Sequence, residues 1–255
     1  KNMDMRKVKF AMMMLAVSLL TACGSSKKEQ SVNEETAAAR TQETENLLAN
    51  LKKIPSKGIM LGHHDDTVYG IGWEGEEGRS DVKSVCGDYP AVISFDLGEL
   101  ELGNAANLDK VPFDKIRKEI INQYQRGGMV SLKTGGDAWD VSDTTVVKSI
   151  LPGGENHQKF AGWLGGVADF LHSLKTADGV KIPVLFRPWH EHSGSWFWWG
   201  EKLCTPEEYK ALWHMTVDTL QAKGVDNALY AYSPGTEPKD TTEYLKKYPG
   251  DELID

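Results

Sequence analysis

The sequence predicts an α/β fold on a parallel sheet, arranged as a (β/α)8 TIM barrel. Three observations carry this. Short apolar β-like runs alternate with longer segments of helical period. The strand-like runs are apolar enough to be buried on both faces. Polar and aromatic residues follow several of the runs directly, the usual placement of chemistry at the C-terminal ends of barrel strands.

The runs lie at 58–62, 91–95, 129–132, 183–186 and 228–233. Between them, Phe113, Ile116, Ile120, Ile121 and Tyr124 share one helical face, which stops at Gly127-Gly128. Phe160, Trp163, Leu164, Val167, Phe170, Leu171 and Leu174 repeat with the same period. A third helix opens at Thr205-Pro206-Glu207-Glu208, where Thr205 can cap, Pro206 suits the first turn and Glu208 can complete a capping box. Trp213, Val217 and Leu220 form its buried stripe, and Gly224 ends it.

His63-His64-Asp65-Asp66, Asp96 and Trp189-His190-Glu191 fall just past predicted strands. Open doubly wound sheets place chemistry there too, but no Gly-rich dinucleotide fingerprint or phosphate loop is present, which favours the barrel. Five β/α units exhaust the chain, whereas a barrel closes with eight and takes about 250 residues. The expectation is a barrel truncated after about the fifth unit, with residues 251–255 resembling the start of a sixth strand.

The 255 residues carry 37 acidic and 29 basic side chains, a formal charge of −8, so an acidic surface argues against a nucleic-acid partner. Met5-Arg6-Lys7-Val8-Lys9 is a basic n-region, and 10–20 is an apolar run too short to span a bilayer. It ends in Leu20-Thr21-Ala22-Cys23-Gly24, which resembles a bacterial lipobox, with cleavage before Cys23 and lipid on its thiol. The expected organisation is a signal peptide at 1–22, a lipid-anchored tether at 23–44 and a catalytic domain at 45–255. The implied location is the cell envelope, on the periplasmic or surface face of the outer membrane. Cys86 and Cys204 are too few for a disulfide scaffold, and their spacing does not say whether they pair.

The chemistry concentrates at 184–200. Four of eight Trp (Trp189, Trp196, Trp198, Trp199) fall in eleven residues around Glu191. A carboxyl at a strand end among indoles is shielded from water, and desolvation raises its pKa toward that of a proton donor near neutrality. Indole faces also stack on the C–H faces of sugar rings. The reading is a general acid, Glu191, beside a sugar-binding platform, with Arg187 bracing the site.

Arg187-Pro188-Trp189-His190-Glu191, followed by Gly194-Ser195-Trp196-Phe197-Trp198-Trp199-Gly200, resembles the acid/base segment of glycoside hydrolase family 26, mainly β-mannanases. Supporting matches are Gly62-His63-His64-Asp65-Asp66-Thr67, Asp96-Leu97-Gly98, Thr134-Gly135-Gly136-Asp137-Ala138-Trp139-Asp140 and Tyr232-Ser233-Pro234. The resemblance implies a retaining endo-β-1,4-mannanase acting on mannan, galactomannan or glucomannan, with no metal and no organic cofactor. It implies Glu191 as acid/base, His190 and Trp196 at the cleavage subsite, and Trp139 stacking on a neighbouring sugar.

Two departures accompany the resemblance. The family's nucleophile is a second Glu at the end of the seventh strand, expected here beyond residue 255, and Glu237 reads as a loop residue rather than a substitute. The family's Trp-His pair and Asn-Pro also have no counterpart, since Lys133 leads directly into Thr134. Two rival readings come from other classes. One is a non-catalytic glycan-binding lipoprotein. The other is a metal-dependent hydrolase using His63, His64, Asp65, Asp66, His190 and His192, against which stands the absence of an H-E-x-x-H spacing.

Overall fold

Five parallel strands stand side by side in chain order. The computed structural model describes residues 39–134 and 139–255; the expected signal peptide, Cys23 and most of the expected tether lie outside these. The order is α1 (Gln42–Lys53), a 3-10 turn (Ile54–Ser56), β1 (Gly62–His64), β2 (Tyr69–Gly70), β3 (Trp73–Glu74), α2 (Asp81–Cys86), β4 (Val92–Asp96), α3 (Phe113–Gln125), β5 (Met129–Thr134), α4 (Val146–Ile150), α5 (His157–Ser173), β6 (Val184–Pro188), α6 (Pro206–Ala222), β7 (Ala228–Tyr230) and α7 (Thr241–Tyr244). The sheet runs β1-β4-β5-β6-β7, every pair parallel, while β2 and β3 form a separate antiparallel ribbon.

Alternation along the strands makes two different faces. Ile93, Phe95, Val130, Leu132, Val184 and Phe186 are buried in one hydrophobic core with the apolar stripes of α3, α5 and α6. Gly62, His64, Ser94, Ser131, Lys133, Leu185 and Arg187 line a cavity of about 550 Å³ on the opposite face. One face under helices and one facing a lumen is the wall of a (β/α)8 barrel. Beyond β7, Asp255 donates its N–H to Tyr230 O (3.1 Å) and accepts the Tyr230 N–H on Oδ2 (3.0 Å). The last residue thus lies against β7, where a further strand was expected.

The helices follow the sequence periodicity. Phe113, Ile116 and Ile120 are the buried face of α3, and Gly127 (φ 80°) turns the chain after it. The Thr205–Glu208 capping box of α6 is present in both directions. The strands at the two edges differ from expectation. The first was expected at 58–62, yet the ladder begins at Gly62, leaving Ile59 99% exposed. A Cβ on Gly62 would stand 3.2 Å from Val92 Cβ, so a close approach to β4 sets where pairing starts. The last was expected to run to 233, but β7 ends at Tyr230, and Ser233 O instead accepts a hydrogen bond from the loop after β6.

α1 begins at Gln42, inside the stretch expected as tether. Thr41 caps it, and the Thr41 N–H and Thr44 hydroxyl both donate to Asp226 O.

Candidate active site

β6 delivers Arg187 and Pro188 to the rim of the cavity, and the chain then turns through Trp189, His190 and Glu191. Trp189 (φ 53°) and Glu191 (φ 54°) both adopt left-handed backbone conformations. For non-glycine residues this costs on the order of 1–3 kcal/mol each and persists only where surroundings impose it. Here they do. Tyr209 Oη donates to Trp189 O (2.8 Å), Trp199 Nε1 donates to His190 O (2.9 Å), and the Glu191 N–H donates to Ser233 O (2.8 Å). The turn aims the half-buried Glu191 carboxyl at the cavity that Arg187 and His190 also line. Among the described residues lining that cavity, Glu191 is the one carboxylate.

Trp196 is 49% exposed, and its Nε1–H donates to Glu191 Oε2 at 3.0 Å. Arg187 is half-buried and donates through Nη2 to Ser233 Oγ (2.7 Å). Burial lowers the guanidinium pKa, and the negative charge of Glu191 opposes that shift. His190 is buried, its ring tilted against Phe197 at 5.1 Å. Structure and sequence therefore agree that Arg187, His190, Glu191 and Trp196 share one neighbourhood.

The four-indole platform is corrected to a single exposed ring. Trp189 and Trp198 are 3% exposed and Trp199 is fully buried, with mutual centroid distances of 5.0–5.4 Å. Two of these indole N–H groups have internal work. Trp189 Nε1 donates to Thr216 Oγ1 (3.1 Å), and Trp199 Nε1 is the donor to His190 O. Close spacing in sequence does not distribute side chains onto one face. Trp139 lies apart from the cavity lining, 5.5 Å from Trp163 with Lys159 Nζ 4.8 Å over its ring. The preceding residues of its motif, 135–138, lie outside the described residues.

The His/Asp cluster divides: His63 and His64 end β1 and line the same cavity as Glu191, while Asp65 and Asp66 are tied into the structure behind them. Asp65 (φ 54°) donates its N–H to Ser94 O (2.8 Å), and its Oδ2 meets His64 Nε2 (2.8 Å) and Tyr69 Oη (3.3 Å). Asp66 Oδ1 accepts the Val82 N–H at 3.1 Å. His192 is packed between the tilted rings of Tyr209 (4.4 Å) and Tyr232 (4.8 Å), where burial pulls its pKa down to about 3. Among the described residues, no group of three or more His, Cys, Asp or Glu side chains is placed to hold a metal ion.

Other candidates resolve locally. Glu237 accepts from Ser193 Oγ (2.6 Å) and stands outside the cavity lining. Cys86 and Cys204 are both free, and burial pushes the Cys204 thiol up to about 11. Lys133, where the family pattern was interrupted, lines the cavity and pairs with Asp96 Oδ2 at 2.9 Å. Sequence reasoning missed Tyr209 and Thr216 as supports of the site, because no local motif ties them to β6; Ser233 was noted within Tyr232-Ser233-Pro234, without its contacts to Arg187 and Glu191.

A barrel wall with an indole-braced carboxyl at the C-terminal rim of its strands is an architecture on which glycoside hydrolases are built. The chain belongs to glycosyl hydrolase family 26, whose profile matches residues 36–255. It is similar to a mannan endo-1,4-β-mannosidase of Bifidobacterium adolescentis, 38% identical over 84% of this chain and 22% of the relative. A β-mannanase structure of the family from Bacteroides ovatus superposes with a TM-score of 0.82 at 62% identity, covering 85% of this chain and 65% of that one. An endo-β-1,4-mannanase double mutant from Cellulomonas fimi gives 0.77 at 34% identity, covering 86% of this chain and 51% of that one. The chain thus spans about two thirds or less of the length of each of these relatives.

Proposed function

We propose that the protein is a retaining endo-β-1,4-mannanase, with Glu191 as general acid and base. The observation that carries this is the Glu191 carboxyl, held by the Trp196 indole N–H at 3.0 Å and turned into a cavity beside Arg187. In the first step Glu191 gives its proton to the glycosidic oxygen as the C–O bond breaks. In the second it takes a proton from the water that hydrolyses the glycosyl–enzyme bond. Trp196 can donate to the Glu191 carboxylate once the proton has left, and it presents an exposed ring to a sugar at the cleavage point. His190 and Arg187 shape the same subsite. Retention needs a second carboxylate about 5–5.5 Å away; the reading assigns this nucleophile to residues beyond 255. The substrate class is β-mannan, including galactomannan and glucomannan.

The test is to incubate the full-length protein with β-1,4-mannohexaose and follow the new reducing ends by proton NMR. The first-formed product is expected in the β configuration. Binding without release of reducing ends would make the protein a glycan-binding module, and an initial α product would overturn the retaining mechanism.

The same reading anchors the protein in the bacterial envelope through lipid on Cys23, supported by the Leu20-Thr21-Ala22-Cys23 sequence. Cys23→Ser is expected to move the protein from the membrane fraction to the soluble fraction; unchanged membrane association would contradict lipidation.

A further inference from the structure

We infer that Tyr209 is a positioning residue for the acid/base, acting from α6 through the backbone of Trp189. The inference deepens the mannanase reading and rests on it for its kinetic arm.

Trp189 and Glu191, at φ 53° and 54°, set the direction in which the Glu191 carboxyl leaves the chain. The carbonyl of Trp189 is what Tyr209 Oη holds, at 2.8 Å. Tyr209 is fully buried, and burial pushes its phenol pKa well up, so the hydroxyl keeps its proton. Trp213 Nε1 donates to that hydroxyl at 2.9 Å, occupying its acceptor side and leaving its one proton for Trp189 O. The His192 ring, 4.4 Å away, fixes the ring of Tyr209. Two turns later on the same helix, Thr216 Oγ1 accepts from Trp189 Nε1 and donates its own O–H to Leu212 O (2.7 Å). α6 therefore grips Trp189 by its carbonyl and by its indole.

The start of α6 is also defined. The Thr205–Glu208 capping box ends immediately before Tyr209, so the helix begins at a set position. A displaced grip would let Trp189 relax from its left-handed conformation and swing Glu191 away from Trp196. The chemistry most exposed to such an error is proton donation, because it depends on the carboxyl meeting the glycosidic oxygen at hydrogen-bond distance.

Tyr209→Phe removes only the hydroxyl and keeps the ring on His192. Two readouts separate positioning from mere stability. The first is the Trp196 indole N–H resonance, which reports its bond to Glu191 without any turnover. It is expected to shift and to exchange with solvent at least tenfold faster. The second is the ratio of kcat/KM on mannan to kcat/KM on an activated aryl β-mannobioside; kcat/KM reports formation of the glycosyl–enzyme, and the aryl leaving group needs no proton for it. That ratio is expected to fall about tenfold or more, with KM on mannan within about twofold of the parent. An unchanged Trp196 resonance overturns the inference whatever the enzyme does, and so does an equal fall on both substrates. A parent protein inactive on both substrates would sink the mannanase reading, while the resonance would still decide the role of Tyr209. Should Tyr209→Phe fail to fold, Thr216→Val, which removes the acceptor for the Trp189 indole at nearly constant shape, is expected to move both readouts in the same direction. No movement in either would overturn the inference.

Discussion

The rims of β1 and β6 use the same backbone device for different ends. After each strand a carboxylate residue adopts a left-handed conformation, Asp65 at φ 54° and Glu191 at φ 54°. Each donates its N–H at 2.8 Å to a serine carbonyl of the neighbouring unit, Ser94 O on β4 for Asp65 and Ser233 O in the loop after β7 for Glu191. What differs is the surroundings of the carboxyl. Asp65 is fully buried and met by His64 and Tyr69, so its charge is already committed. Glu191 is half-buried, holds one indole partner and faces an open cavity. The left-handed turn only aims a carboxyl; the partners waiting for it decide whether it is mortar or reagent.

The sharpest way to break this comparison is to remove each carboxyl. Glu191→Ala is expected to lower kcat on mannan by about 10²–10⁴-fold, the range for a lost general acid, with little change in melting temperature. Asp65→Ala is expected to do the reverse. Leaving the His64 and Tyr69 groups without their partner should cost about 1–3 kcal/mol, read as a lower denaturant midpoint, with kcat of the folded fraction within about threefold of the parent. A kcat loss in Asp65→Ala as large as that in Glu191→Ala would erase the distinction. Trp196→Phe, which keeps a ring but removes the N–H to Glu191, should lower kcat by about tenfold and leave the midpoint in place.

The remaining predictions concern pH. The carboxyl of Glu101, buried among Phe160, Trp163, Trp189 and Trp198, is pushed up to about 7 from the usual 4.5. Between these values the folded chain keeps a proton that the unfolded chain has lost, so stability falls as pH rises from 4.5 to 7 and then levels. His192, pushed down to about 3 from 6.5, works in the opposite sense. The unfolded chain gains a proton that the folded chain refuses, and stability falls as pH drops from 6.5 toward 3. Each slope is at most about 1.4 kcal/mol per pH unit. Between pH 4.5 and 6.5 the two slopes oppose each other, so Glu101→Gln is expected to leave a denaturant midpoint that rises with pH across that window, and His192→Phe one that falls. Unchanged slopes would show that neither group titrates as its burial requires.

Much of this was legible in the sequence wherever the signal is local. The helical faces around Ile116, Leu164 and Leu220 are buried as their periodicity requires, and the Thr205 cap forms because its partners are three residues away. Glu191 and Trp196 could be singled out because they sit within one short motif. α1 was not foreseen, since its anchorage is to Asp226, across most of the chain. The shift of β1 depends on how closely Gly62 can approach Val92, which periodicity does not encode. The indole cluster was misread for a related reason. Whether a Trp faces a sugar or the core depends on residues such as Thr216 and Phe160, brought in from α5 and α6.

The most direct test of Glu191 as the acid/base is azide rescue of Glu191→Ala in the full-length protein, with an activated aryl β-mannobioside as substrate. Such a substrate needs no proton to form the glycosyl–enzyme intermediate, and azide needs no base to attack it. The account predicts turnover that rises with azide concentration and a β-configured mannobiosyl azide as product. Parent-level hydrolysis of mannan by the variant, or turnover indifferent to azide with no azide adduct formed, would contradict it.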